Sequence, residues 1–138
     1  MSQSLQQEWQ ILQNQFDSYE KYSLLIKLCH VLFSGFTLAF AEPSGFLLTI
    51  LFLLGLIFWL QDAVWKTFQS RIETRILVLE RSIKTEMSTV PFQFNSEFLA
   101  ERGSAIKLVF EYLTKMLTPT VALPHLCLLL LYLLIAFV

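Results

Sequence analysis

The sequence predicts an all-α integral membrane protein, a helical bundle with three transmembrane helices and helical cytoplasmic extensions. Three observations carry this. Of the 138 residues, 55% are hydrophobic and mean hydropathy is +0.58, above the roughly 45–50% apolar share of a soluble domain. The excess is gathered into blocks that approach the roughly 20 residues a helix needs to cross the hydrocarbon core. Charged residues, 15% of the chain, fall almost entirely between or before those blocks. Thirteen Phe and three Trp suit lipid-facing and interfacial surfaces.

Residues 1–21 read as a cytoplasmic amphipathic helix, because Leu5, Trp9, Leu12, Phe16 and Tyr19 recur at steps of four and three. Ser4 with Gln7 three residues on has the form of a capping box. No Pro or Gly separates this stripe from the first span at 22–41, so one helix is expected from about Leu5 to Phe40. It would be on the order of 50 Å long, about half of it outside the bilayer. The polar N-terminus has no basic run before an apolar core, so the first span is expected to act as a retained signal-anchor.

Residues 42–45, Glu42-Pro43-Ser44-Gly45, form an extracytoplasmic turn, and the second span follows at 46–60. Beyond Asp62, the apolar residues Trp65, Phe68, Ile72, Ile76, Leu79, Ile83 and Met87 recur at steps of three or four, with no breaker before Val90-Pro91. Asp62–Lys66 and Glu80–Lys84 have the acid-first i,i+4 spacing that supports a helix. The two long stripes are expected to bury each other as in a coiled coil. Residues 61–119 thus make a cytoplasmic helical stalk with a loop near 88–96. After it, Asn95 or Ser96 caps a helix carrying Phe98, Leu99, Ile106, Val109, Tyr112, Leu113 and Met116, with an interruption at Gly103-Ser104. Thr118-Pro119 leads into the third span, 120–138, where a proline in the first turn costs little.

Charge sets the orientation. Eight of the ten Lys and Arg residues lie between Lys66 and Lys115, and the turn at Glu42 has none. The positive-inside rule therefore puts 61–119 and the N-terminus in the cytoplasm and the C-terminus on the far side. Trp59 and Trp65 bracket the exit of the second span, as interfacial aromatics do. A net charge of −1, without a basic face, argues against a nucleic-acid partner.

The pattern richest in chemistry lies in the first span. Ser23, Lys27, His30, Ser34 and Thr37 alternate at steps of four and three and fall within a sector of roughly 80°. Two readings are open. The stripe faces the bundle, with hydroxyls bonded to the carbonyls one turn back, or several copies assemble and it lines a hydrated path, with Lys27 at the cytoplasmic mouth favouring anions. Lys27 can snorkel to the interface or pair with Asp62 at the same depth on the next helix, the pair being the favoured reading. Cys29-His30 and His125-Leu126-Cys127 invite a zinc or haem reading, but adjacent residues on a helix point about 100° apart, so four ligands converge poorly. No cofactor and no metal is expected. His125, Tyr132 and Ala136 give the third span a sparse face suited to packing.

The stretch FWLQDAVW at Phe58–Trp65 resembles a group of small uncharacterised bacterial membrane proteins with an F-W-x-L-D-A signature after the second of three spans. Phe58, Trp59, Asp62 and Ala63 match it, Val64-Trp65 replace the group's aromatic pair, and Pro91-Phe92 echoes a further feature before the third span. The resemblance implies the same topology in a bacterial inner membrane and implies no activity.

There is no Ser-His-Asp set, no Gly-rich phosphate loop and no HExxH, so a non-enzymatic role is expected. Two functions fit. One is a homo-oligomeric pore-forming or membrane-perturbing effector in a bacterial stress or anti-phage response. The other is an accessory or anchoring subunit whose cytoplasmic stalk docks a protein partner. Leu77 and Val78, beside the main stalk seam, add to the expectation of self-association.

Overall fold

A computed structural model describes residues 2–85, 90–101 and 103–137. Five helices follow in order: α1 (Ser2–Phe40), α2 (Gly45–Thr85), α3 (Phe94–Glu101), α4 (Ala105–Met116) and α5 (Pro119–Phe137). There is no strand among the described residues. Segments of α1, α2 and α5 are long and apolar enough to cross a membrane. With 39 and 41 residues, α1 and α2 are each about 60 Å long, twice the hydrocarbon thickness. Both run unbroken over that length, as the absence of internal Pro in either stretch allows.

Helix ends differ from the sequence expectation in small ways with clear causes. Because α1 starts at Ser2, Ser4 lies inside the first turn and does not cap it. Gly45 is the first residue of α2 rather than the last of the turn, since the Ser44 hydroxyl accepts from the amide of Leu47 at 3.2 Å and takes the capping role. The 88–96 loop ends earlier than expected: α3 opens at Phe94, which places Asn95 and Ser96 within it. Met87 and Ser88 lie outside the described residues, as does the side chain of Phe98. The break at Gly103-Ser104 is present, and Ser104 caps α4 by accepting from the amide of Lys107.

α2 is the common partner, packed by α1 along its length, by α5 in the apolar half and by α4 beyond it. The stalk core is Leu5 and Leu12 of α1 against Ile72, Ile76 and Leu79 of α2, with Trp9, Phe16, Tyr19 and Ile83 packed on it. Trp65 is wedged between Tyr19 and Tyr22, ring centroids 5.2 and 5.3 Å away. Phe68 departs from the expected stripe: it stays exposed, beside Tyr19 and under the Arg71 guanidinium. The i,i+4 pairing expected at Asp62–Lys66 gives way to longer-range bonds, because Asp62 turns inward and Lys66 donates to Gln69 at 2.8 Å. Glu80 likewise accepts from the Trp9 indole of the facing helix.

Two features of the stalk go beyond the sequence pattern. Glu8 and Arg75 form a buried pair inside the Leu/Ile seam, with Nε and Oε1 3.0 Å apart. The pair also clasps the loop: Glu8 accepts from the amide of Phe92, held at φ 60, and Arg75 donates to the carbonyl of Val90. The second surprise is α4. It buries no residue, and its apolar face points outward, with Ile106 79% and Phe110 70% exposed alongside Val109, Leu113 and Leu117. Its polar side faces α2, where Arg71 meets Glu111 at 2.7 Å. Among the described residues α4 therefore adds no apolar seam to the stalk.

Candidate functional site

The buried centre of the apolar half is polar. Ser23, His30 and Ser34 of α1, Asp62 of α2, and His125 and Tyr132 of α5 are all 1% exposed or less. Helical spacing explains how one helix supplies three of them: Ser23, His30 and Ser34 stand seven and four residues apart, on one face. His125 and Tyr132 are likewise two turns apart on α5. Gly55 makes room for this crossing, since a Cβ there would stand 2.7 Å from Leu129 Cδ2 and 3.1 Å from His30 Nε2.

The groups form one continuous chain. At the stalk end the Lys27 ammonium lies 3.1 Å from Asp62 Oδ2 and donates to the Ser23 hydroxyl at 2.8 Å. Ser23 in turn donates to Asp62 Oδ1. His125 Nε2 approaches Asp62 Oδ2 at 3.3 Å, and the two histidines meet through their Nδ1 atoms at 2.8 Å. His30 Nε2 lies 3.3 Å from the Tyr132 hydroxyl, which also bonds Ser34. Ser34 closes the chain by donating to the His30 carbonyl at 2.6 Å. No buried side-chain polar atom among the described residues lacks a partner. Where water is excluded such completeness matters, because an unsatisfied buried polar group is costly.

The geometry limits the proton positions to two patterns. A neutral imidazole has one N–H and one bare nitrogen, so the Nδ1–Nδ1 contact needs one donor and one acceptor. With Asp62 ionised, His125 donates through Nε2 to the carboxylate, its bare Nδ1 accepts from His30, and His30 Nε2 accepts from Tyr132, so the Ser34 hydroxyl donates to Tyr132 in place of the His30 carbonyl. With Asp62 protonated, the carboxyl donates to His125 Nε2, His125 Nδ1 donates to His30, and His30 Nε2 donates to the Tyr132 hydroxyl, which in turn donates to Ser34. The second pattern holds one proton more than the first, so passing from the first to the second takes up one proton from outside the chain of groups. Lys27 and Ser23, both donating toward the carboxylate, favour the ionised pattern at rest. Beyond Tyr132 the polar chain stops against Leu48, Leu51 and Leu129, flanked by Leu38 and Ile135.

No family model, no curated protein and no solved structure matches the chain. The functional reading therefore rests on the residues alone.

Of the stripe read from the sequence, Ser23, His30 and Ser34 meet in this chain, Lys27 reaches it from a half-buried position, and Thr37 does not join it. Thr37 donates to the Phe33 carbonyl. The stripe faces the interior of its own bundle, and Lys27 pairs with Asp62. Cys29 and Cys127 are exposed on the outer faces, so they do not converge with the histidines. No group of three or more metal-ligating side chains occurs among the described residues. His125 and Tyr132, read from sequence as packing residues, are central members. Their two-turn spacing in a helix otherwise almost wholly apolar is the signal the sequence offers. Pro124, just before His125 inside α5, leaves the amide one short near the helix start, where a freed carbonyl is nearest the interface.

Proposed function

We propose that this chain is a non-enzymatic membrane effector that lets protons leak across a bacterial inner membrane, with its N-terminus cytoplasmic and its C-terminus outside. The observation that carries the reading is the buried chain from Lys27 and Asp62 through His125 and His30 to Tyr132 and Ser34. Ionisable groups inside a bilayer are costly, and where they line up in hydrogen-bond reach they mark proton relays. The relay covers the cytoplasmic part of a path, and the Leu38, Leu48 and Ile135 layer closes the outer part as an apolar gate. In this reading the path runs within one protomer, and assembly of several copies opens the gate. An effector of this kind would collapse the proton gradient in a stress or anti-phage response.

The test is acidification of liposomes that hold the purified full chain and a trapped pH-sensitive dye, under an imposed potassium diffusion potential. Wild-type protein is expected to carry protons, and Asp62→Asn and His30→Gln to fall to the protein-free rate while keeping wild-type helicity. Wild-type liposomes that acidify no faster than empty ones at either polarity would overturn the proposal. The second reading, an anchoring subunit for a protein partner, is favoured by the outward apolar face of α4. It gains if the protein leaks nothing and co-purifies with one stoichiometric partner that Phe110→Glu releases.

A further inference from the structure

A cavity of about 780 Å³ opens between α2 and α4, outside the polar chain and with no part in the proton path. Among the described residues, its wall carries Arg71 on α2 and Lys107 and Lys115 on α4, with Glu111 the one carboxylate. Glu111 is held by Arg71 at 2.7 Å. Among the described residues neither lysine has an ion-pair partner. Three cations against one anion leave the cavity positive. Lys107 and Lys115 are two helical turns apart and so share a face of α4. The stem of Lys107 is laid across Gly103, where a Cβ would collide with it, so the bare backbone there sets the direction of that side chain. Hydroxyls of Ser70 and Thr74 line the same space, and Leu108 and Phe110 give its margin an apolar part.

The location matters as much as the charge. The Trp59 indole donates to the carbonyl of Met116 at 3.0 Å, which ties the end of the second span to the residue next to Lys115. α5 enters the apolar layer three residues later, at Pro119. The cavity therefore begins at the level where phospholipid headgroups lie, on the side to which the chain's basic residues point. The exposed Leu113 and Leu117 run from its edge toward the apolar layer, on a course that an acyl chain can follow.

We propose that this groove binds a phosphate-bearing anion, supplied in the membrane by the headgroup of an anionic phospholipid. Lys107 and Lys115 neutralise the phosphate as point charges, and Arg71, shared with Glu111, adds planar donors. A basic pocket between helices on the cytoplasmic side is the chemistry such headgroups require. Bound there, the lipid joins α4 to α2, two helices that share no apolar seam.

The full chain, released from mild detergent doped with phosphatidylglycerol or phosphatidylcholine, reports retained lipid by native mass spectrometry. Phosphatidylglycerol is expected to be retained in preference to phosphatidylcholine. Lys107→Gln and Lys115→Gln are each expected to weaken it by about fivefold, and Glu111→Gln to tighten it by removing the competing carboxylate. Inorganic phosphate at millimolar concentration separates the sources. Displacement of the lipid by phosphate supports the shared site, and phosphate binding without lipid retention supports the same chemistry with a soluble anion. Equal retention of the two lipids with no phosphate binding would overturn the proposal. So would an equal loss from Lys21→Gln, an exposed lysine on α1, because generic attraction to a cationic surface would then account for the effect.

Discussion

The helices α1 and α2 pair along their whole length, yet the two ends of that pair are built on opposite plans. In the stalk the seam is Leu5, Leu12, Ile72, Ile76 and Leu79, with a single ion pair, Glu8–Arg75, enclosed in it. In the apolar half α1 buries Ser23, His30 and Ser34 while Leu24, Leu32 and Phe36 face outward, and α2 buries Asp62 beside Leu48, Leu51, Gly55 and Ala63. Of the two rods it is α1 that turns inside out between the halves, while α2 keeps a mainly apolar buried face around Asp62. In water, apolar burial drives the seam together. In lipid that force is gone, and packing and hydrogen bonds between helices hold the bundle. With the apolar half in lipid, as proposed, polar groups can lie inside it at no loss of driving force, and that freedom would permit the proposed relay.

The largest effect should come from breaking the polar exception in the apolar stalk. Glu8→Ala leaves the Arg75 guanidinium without its carboxylate and frees the amide of Phe92, at a cost of about 3–5 kcal/mol. Thermal unfolding in detergent would show it as a large fall in Tm. Replacing both partners together, Glu8→Leu with Arg75→Met, is expected to recover most of the loss, since an apolar pair of similar volume suits that seam. Failure to recover would mean that the clasp on Val90 and Phe92 carries more of the stability than the pair does.

Next in size is Leu79→Ala, which empties a fully buried stalk position and should lower stability by about 2–5 kcal/mol. Gly55→Ala follows at about 1–3 kcal/mol, because its Cβ presses on Leu129 and on the His30 ring. That variant also separates the two halves: the stalk should keep its slow amide exchange while α5 loosens from α2. Smallest is Leu32→Ala on the lipid-facing side, within about 0.5 kcal/mol by Tm. A Leu32→Ala effect as large as that of Leu79→Ala would contradict the inside-out arrangement, because it would place Leu32 in a packed seam.

How much of this the sequence carries follows from the range of each interaction. The three apolar segments and the continuous α1 and α2 are local matters of composition and of absent breakers, so they are legible. The stalk seam is legible too, because a period of three and four repeats over many turns. Phe68 shares that period and still lies at the edge, since a stripe wider than the contact leaves its margin exposed. For α4 the periodicity correctly marks an apolar face, but a face alone does not say whether it meets a partner helix or turns outward. The polar chain was half visible. The α1 stripe and the Lys27–Asp62 pair could be inferred from depth and spacing, whereas His125 and Tyr132 sit singly among leucines and acquire meaning only when α5 is docked. Glu8 and Arg75 were hidden for the same reason, each being one charge inside its own apolar stripe, with its partner 67 residues away.

The account stands on the two histidines being joined inside one protomer of a bilayer. Nitrogen-15 spectra of selectively labelled histidine, with the full chain in lipid, test this most directly. One imidazole should carry its proton on Nδ1 and the other present a bare Nδ1, and His125→Leu should move the His30 resonances. Two histidines with the same tautomer, and a His30 spectrum unchanged by loss of His125, would contradict it.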